Sequence, residues 1–430
     1  MFCSNYARVI ILDEKVLIYN ALFGGMIMFS KEINKYIRIE GNRVVDIDDN
    51  IPSEIKNRLE KKYIVSDEGN FDNNLINKRF NILNNKAKEG ELIKNLRLTL
   101  TKNCNCSCDY CYVERKYNNS LALTFEDCTK FIRNAINLSD RKEMSIRFFG
   151  GEPTLEFDLI QQIVEFVEKE YPEIKFNYLL NTNLQNITKD MVSYFKRKKI
   201  KAAVSLDSIK KTNDYNRHSL VHDSYYDEAV KQIRILSEEG VSFVVCSVVT
   251  NHSREYVPQF LEEMKDIGVK NISLNFAKMV DKDTMNLDKD LAQIFANAYK
   301  YGLRNSMNIS GSWFTPFKRL LNGGGNAFCG GLGYELDLRP DKKVYTCVGE
   351  TKPIADLNSM NEVPMNSLYS RIVNRVPANI GSCKGCDIEG LCAGQCACDA
   401  DYASNNFFGI NNEVCDFQKE LLRLLIECSI

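Results

Sequence analysis

Histidine is scarce in this chain, and so is any excess of charge. Its 430 residues hold three histidines, and 56 Lys+Arg stand against 57 Asp+Glu for a formal net charge of −1. Without a basic surplus no surface built to track phosphates is expected, and nucleic acid is not the expected partner. The histidines, His218, His222 and His252, show neither triad nor metal spacing, which leaves conventional acid–base or nucleophilic catalysis little support. Long apolar runs are missing as well. The most apolar stretch, residues 21–29, is broken by glycines and too short to span a bilayer, and residues 1–16 lack a basic leader followed by an apolar core. The expectation is a cytoplasmic protein with no membrane partner.

Cysteine is what the chain has in plenty, sixteen in all, and nine of them fall between Cys329 and Cys428. With no export signal, that density reads as metal ligation in a reducing compartment rather than as disulfides. The length suggests two or three domains. Residues 1–90 carry β-type runs at 8–12, 15–22 and 26–30, helical patterns near 31–39 and 53–62, and a polar helical stretch over 73–92. They predict a small α+β module with a linker. Over 91–310, β-rich runs at 96–101, 144–149, 176–181, 202–206, 243–249 and 272–276 alternate with helix-length amphipathic segments. This is the pattern of an α/β fold, a partial (β/α)6 barrel of parallel strands whose chemistry sits at the C-terminal strand ends. Residues 311–430 are glycine- and cysteine-rich and predict a loop-rich domain that metal holds together.

Directly after the first barrel run, Cys104, Cys108 and Cys111 form CxxxCxxC. Three thiolates in one loop can hold three irons of a [4Fe–4S] cluster and leave the fourth open to a small chelating ligand. A zinc knuckle is the bland alternative. The spacing, with Tyr110 as the aromatic residue before the third cysteine, resembles the radical SAM superfamily. That resemblance implies a [4Fe–4S] cluster on Cys104, Cys108 and Cys111, with S-adenosylmethionine (SAM) chelating the open iron and Tyr110 by the adenine. It also gives roles to later strand ends. Gly150-Gly151-Glu152-Pro153 is similar to the family's GGEP turn, where exposed backbone and a carboxylate receive the SAM amino group. Asn183 lies in a TNG-like segment whose glycine is Leu184 here, and Ser205 and Asp207 lie in an SxD-like segment. With Arg217 they are the implied SAM contacts, although strand-end capping accounts for each residue equally well.

Cys383-x2-Cys386-x5-Cys392-x3-Cys396, with Cys329 and Cys347 upstream and Cys415 downstream, resembles the seven-cysteine SPASM domain of radical SAM enzymes that modify peptides and proteins. The resemblance implies two auxiliary iron–sulfur clusters of the [4Fe–4S] kind. Cys329, Cys347 and Cys396 would hold the first, and Cys383, Cys386, Cys392 and Cys415 the second; a zinc ribbon is the alternative. Glu335 stands where sulfatase-maturase relatives have a fourth ligand to the first cluster, so one iron is expected to be open. Those relatives have an Asp after the second SPASM cysteine, where this chain has Val348.

The N-terminal module resembles the leader-recognition domains of enzymes that mature ribosomally made peptides, small winged-helix-like folds that bind a leader as an added strand. The resemblances together imply a peptide maturase that takes a precursor peptide with its leader and a reductant such as flavodoxin or ferredoxin. The expected product is a thioether from a cysteine sulfur to carbon. Sulfatase-type oxidation to formylglycine and carbon–carbon crosslinking are the alternatives within the family, and a zinc-stabilised binding module is the non-enzymatic one.

Overall fold

The computed structural model describes residues 1–111, 113 and 122–429. Two compact units emerge. One gathers Met1–Asn85, Trp313–Cys329 and Val373–Ile430, and the other Lys86–Ser312 and Gly330–Ile372. The expected boundaries at 90 and 310 therefore divide the chain differently from its packing: its two ends share one unit, and residues 330–372 belong with the barrel.

In the first unit, β1 (Ala7–Ile11), β2 (Lys15–Asn20), β3 (Met26–Ser30), β4 (Ile37–Glu40) and β5 (Arg43–Ile47) form an antiparallel sheet ordered β3-β2-β1-β5-β4. The helix expected over 31–39 is one 3-10 turn, Lys31–Lys35, followed by β4. Ile33 and Ile37 are both buried there, so their helix-like spacing is met by a turn running into a strand that drop both side chains into the sheet's core. The helix Ser53–Glu60 and the longer helix Phe71–Lys88 form as expected.

This sheet packs against the cysteine-rich C-terminal segment. Arg8, fully buried, bonds Asp387 at 2.6 Å and the Gly385 carbonyl at 3.0 Å, and the Gly390 N–H donates to the Ala21 carbonyl. The module is thus no detachable appendage. Removing it would strip a buried arginine from the loop between Cys386 and Cys392.

The second unit holds the barrel strands β6 (Asn95–Thr99), β7 (Glu143–Phe149), β8 (Lys175–Thr182), β9 (Lys201–Ser205), β10 (Phe243–Val249) and β11 (Asn271–Phe276). All pair in parallel in chain order, and all match the six runs read from sequence to within two residues at either end. A seventh parallel strand, β12 (Asn308–Ser310), extends one edge. On the other edge β13 (Glu335–Leu338) joins β6 in parallel, and β14 (Lys343–Tyr345) and β15 (Ala355–Asp356) follow antiparallel.

The strand pattern has a plain cause. Met144, Ile146 and Phe148 of β7 are buried while the alternating Ser145, Arg147 and Phe149 are half-buried, as a strand covered by helices on one face requires. The first covering helix, Phe125–Asn137, starts on a capping box between Thr124 and Asp127 and buries Cys128, Phe131, Ile132 and Ala135. Such a cap contributes about 1 kcal/mol. Cys128 is accordingly a core residue, as its position among Phe125, Phe131 and Ile132 suggests. Because the strands run parallel, the segments after β6, β7, β8 and β9 all emerge at one edge of the sheet.

Candidate functional site

The loop after β6 carries Cys104, Cys108 and Cys111 and is pinned on two sides. Its residues Cys106–Cys108 pair antiparallel with Arg217–Ser219, and the Gly151 and Glu152 N–H groups donate to the Thr101 and Asn103 carbonyls, both at 2.8 Å. Both glycines at the turn are needed. Gly150 has φ +152°, and a Cβ on Gly151 would overlap the Asn103 carbonyl. The GGEP turn therefore grips the cysteine loop by backbone alone.

Glu152 is tied into the fold through both carboxylate oxygens. It is 1% exposed, and its two oxygens accept from the Thr154 N–H and hydroxyl, the Thr182 hydroxyl and the Asn183 N–H at 2.7–3.1 Å. Burial pushes its pKa up while these bonds hold it down. These bonds fix the carboxylate within the fold, three to Oε1 and one, from the Asn183 N–H, to Oε2. Pro153 is buried and opens the 3-10 turn Pro153–Glu156.

Asn183 is turned onto the cysteine loop. Its Nδ2 donates to Asn105 Oδ1 at 2.7 Å and lies 3.2 Å from Cys106 Sγ and 3.6 Å from Cys104 Sγ. Leu184, in the glycine position of the family segment, takes φ +64° while fully buried, so the left-handed bend persists without glycine. Cys106, the fourth thiol of the loop, is buried beside Asn183 and Cys104, and its hydrogen bond to Cys104 together with burial raises its pKa.

Asp207 and Arg217 form a buried bidentate pair, with Nε to Oδ2 at 2.8 Å and an Nη to Oδ1 at 3.0 Å. The Tyr110 hydroxyl donates to Asp207 Oδ2, the Val248 N–H donates to Oδ1 at 3.0 Å, and the Arg217 guanidinium lies 3.7 Å from Cys108 Sγ. Burial opposes charge on Arg217, but Asp207, Tyr110 and their neighbours outweigh it and hold the guanidinium firmly charged. Burial likewise pushes the Tyr110 and Cys108 pKa values up, with Arg217 pulling the other way. Tyr110, Asp207 and Arg217 are therefore joined into a unit beside Cys108. Ser205 is half-buried, and its carbonyl accepts from the Tyr225 hydroxyl at 2.8 Å. Tyr225, whose ring the Arg217 guanidinium covers, had no signal in the sequence beyond a helix start at Ser224.

In the other unit, Cys383, Cys386, Cys392 and Cys415 line one cavity of about 260 Å³, the four thiols that the SPASM resemblance assigns to one cluster. Gln395 donates to Cys415 Sγ at 2.7 Å. Burial raises the pKa of Cys383 to about 12 and that of Cys415 to about 11. Two arginines hold the surrounding loops through carbonyl oxygens. Arg375, fully buried, reaches the carbonyls of Gly394, Gln395, Phe407 and Gly409, and Arg319 those of Ala327, Leu391 and Cys392. Cys329 and Cys396 belong to this unit and Cys347 to the other. Glu335 stands on β13 with its carboxylate 2.7 Å from Arg97, so the residue in the position of a fourth ligand is instead half of a buried ion pair in the barrel.

The donor sets suit soft iron–sulfur chemistry: three thiols on one loop with Cys111 exposed, and four around one cavity. Among the described residues no three His, Cys, Asp or Glu side chains are close enough to hold a single metal ion, and a four-iron cube spans its thiolates more widely than one ion does. Among the described residues no helix is long and apolar enough to cross a membrane.

Residues 98–264 match the model of the Radical SAM superfamily. The chain is 23% identical to the radical SAM cyclopropyl synthase TigE of Paramaledivibacter caminithermalis over 99% of its own length and 96% of that protein's. Its fold is similar to anSMEcpe with bound AdoMet, with a TM-score of 0.67 and 18% identity over 78% of this chain and 99% of that one. It is also similar to Streptococcus suis SuiB bound to precursor peptide SuiA, with a TM-score of 0.59 and 17% identity over 96% and 99%.

Proposed function

From the premise that this chain is a radical SAM enzyme, we propose that it matures a ribosomally made precursor peptide by closing an intramolecular bond, with Cys104, Cys108 and Cys111 holding the SAM-binding cluster. A [4Fe–4S] cluster chelated by SAM supplies, once reduced, the 5′-deoxyadenosyl radical that takes hydrogen from an unactivated carbon. What the chain's own residues contribute is position. The Gly150–Gly151 turn and Asn183 fix the cysteine loop, and the Tyr110–Asp207–Arg217 unit sets a buried cation beside Cys108. The observation that carries the peptide reading is the union of a radical SAM domain with four cysteines around a single cavity in a separate unit. The SuiB likeness supports the same reading at the level of fold.

The bond is open to two readings. A thioether is supported by Glu335, which stands where sulfatase-maturase relatives have a fourth cysteine and is engaged with Arg97, so that a cluster held there would keep one position for a substrate thiolate. A carbon–carbon bond is supported by similarity along the whole chain to a cyclopropyl synthase. Sulfatase-type oxidation has less support, since Val348 replaces the Asp that those enzymes carry. A short peptide encoded beside this gene should lose two hydrogens in mass spectrometry after incubation with the enzyme, SAM and a flavodoxin or ferredoxin system. A Cys-to-Ser version that is still modified selects carbon–carbon closure, and one that is inert selects the thioether. No mass change in any neighbouring peptide would contradict the maturase reading.

A further inference from the structure

A cavity of about 860 Å³ opens at the N-terminal ends of β6 to β9, the strand edge opposite the one that carries Cys104 and the Gly150–Gly151 turn. Six of its lining residues are cationic: Arg147, Lys175, Arg197, Lys198, Lys199 and Lys201. Two are acidic, and both are engaged, Glu168 with Lys198 at 2.5 Å and Glu335 with Arg97 at 2.7 Å. In a chain whose net charge is −1, this is a local excess of positive charge. We propose that the cavity binds an acidic segment of the peptide substrate. The inference rests on the maturase reading above and adds a substrate class to it.

The simpler account of the cations covers only some of them. Arg197, Lys198 and Lys199 end the helix Lys189–Lys198, where positive charge complements the helix dipole. Arg147 and Lys201 stand on β7 and β9, where no helix end asks for them, and Lys175 on β8 is paired at the rim with Glu143 of β7 at 2.9 Å. Lys199 and Lys201 are exposed, and Arg147 lies deeper, opposite Arg97 and Leu179 in the strand register. The cationic lining thus runs from the rim inward along the strand face that the helices leave uncovered. A lined wall of this kind focuses a field on an anionic chain segment.

The geometry also says where the acidic residues should fall. Strands of five to eight residues separate this rim from the cysteine-loop edge. At about 3.3 Å per residue that is roughly 20 Å, the reach of about six extended peptide residues. The substrate's Asp or Glu residues should therefore lie about six positions from the residue that is modified.

Binding of fluorescein-labelled hexaglutamate and hexaglutamine peptides to the full-length enzyme, followed by anisotropy, tests the site without SAM or turnover. Hexaglutamate should bind, should be released near 1 M salt, where the screening length falls to about 3 Å, and should lose about tenfold or more in affinity to Lys175→Glu/Lys199→Glu/Lys201→Glu. Hexaglutamine should not bind. Lys130→Glu/Lys289→Glu/Lys300→Glu, which reverses three exposed lysines outside the cavity, should bind hexaglutamate as the wild type does. Circular dichroism checks that each variant is folded, and Lys175→Gln/Lys199→Gln/Lys201→Gln gives the same test without reversed charge. Equal loss in the control variant, undiminished binding by the cavity variants, or tighter binding of an oligothymidylate of the same charge would overturn the proposal. The maturase reading fails separately, by the absence of any peptide product, and it survives if a neutral peptide is modified as readily as an acidic one, a result that overturns only this site.

Discussion

Arg217 and Asp207 lie ten positions apart and meet as a buried bidentate pair that also receives the Tyr110 hydroxyl. Removing one member leaves the other charge stranded, so Arg217→Met should cost about 3–5 kcal/mol in chemical denaturation. The double variant Arg217→Met/Asp207→Asn should cost clearly less than its two single variants added together. Additive losses would mean that the two residues act separately. The CxxxCxxC spacing places Cys104, Cys108 and Cys111 on one loop without any structure, because the ligand chemistry is local in sequence. Glu152 and Asn183 were placed at the correct strand ends, but a sequence does not say which way a side chain turns. Glu152 turns inward to threonine hydroxyls and a backbone N–H, and Asn183 toward the cysteine loop.

The helix Lys289–Arg304 shows how an element start couples to pH. Asp288 caps it by accepting from the Leu291 N–H at 2.9 Å and also pairs with Arg254. The bond to Arg254 outweighs desolvation and holds the Asp288 pKa below its ordinary value. A depressed carboxylate pKa adds stability above the unfolded value of about 3.9 and loses it as pH falls through the folded value. The gap in melting temperature between the wild type and Asp288→Asn should therefore be full near neutrality and close below about pH 4. A gap that does not change with pH would contradict this. The six barrel strands are legible because short β-type runs, several of them alternating apolar with polar residues as β7 does, recur between helix-length segments. β12 and β13 are not, being three and four residues long, and β13 carries Glu335 and Asp337, acids that look like loop. Only the pairing of Glu335 with Arg97, and of Asp337 with Thr99 and Arg339, makes a buried strand of them.

At the scale of the whole molecule, the chain's two ends and its middle are sorted into units that no linear division foretells. Arg8 reaches Asp387 across 379 positions, and the strand β13 pairs with β6 from more than two hundred residues away. Long-range pairings of this kind leave no periodic mark in the sequence, so a linear division at 90 and 310 does not follow the packing. Two sets of thiols are untouched by the regrouping, because Cys104, Cys108 and Cys111 lie in one unit, and Cys383, Cys386, Cys392 and Cys415 lie in the other. The most direct test of the account is product analysis of Cys104→Ala/Cys108→Ala/Cys111→Ala, reconstituted anaerobically and reduced with SAM present. The account predicts that the wild type releases 5′-deoxyadenosine, and that the variant releases none while keeping about two thirds of the iron, the share held by the C-terminal cysteines. Release of 5′-deoxyadenosine by the variant would contradict it.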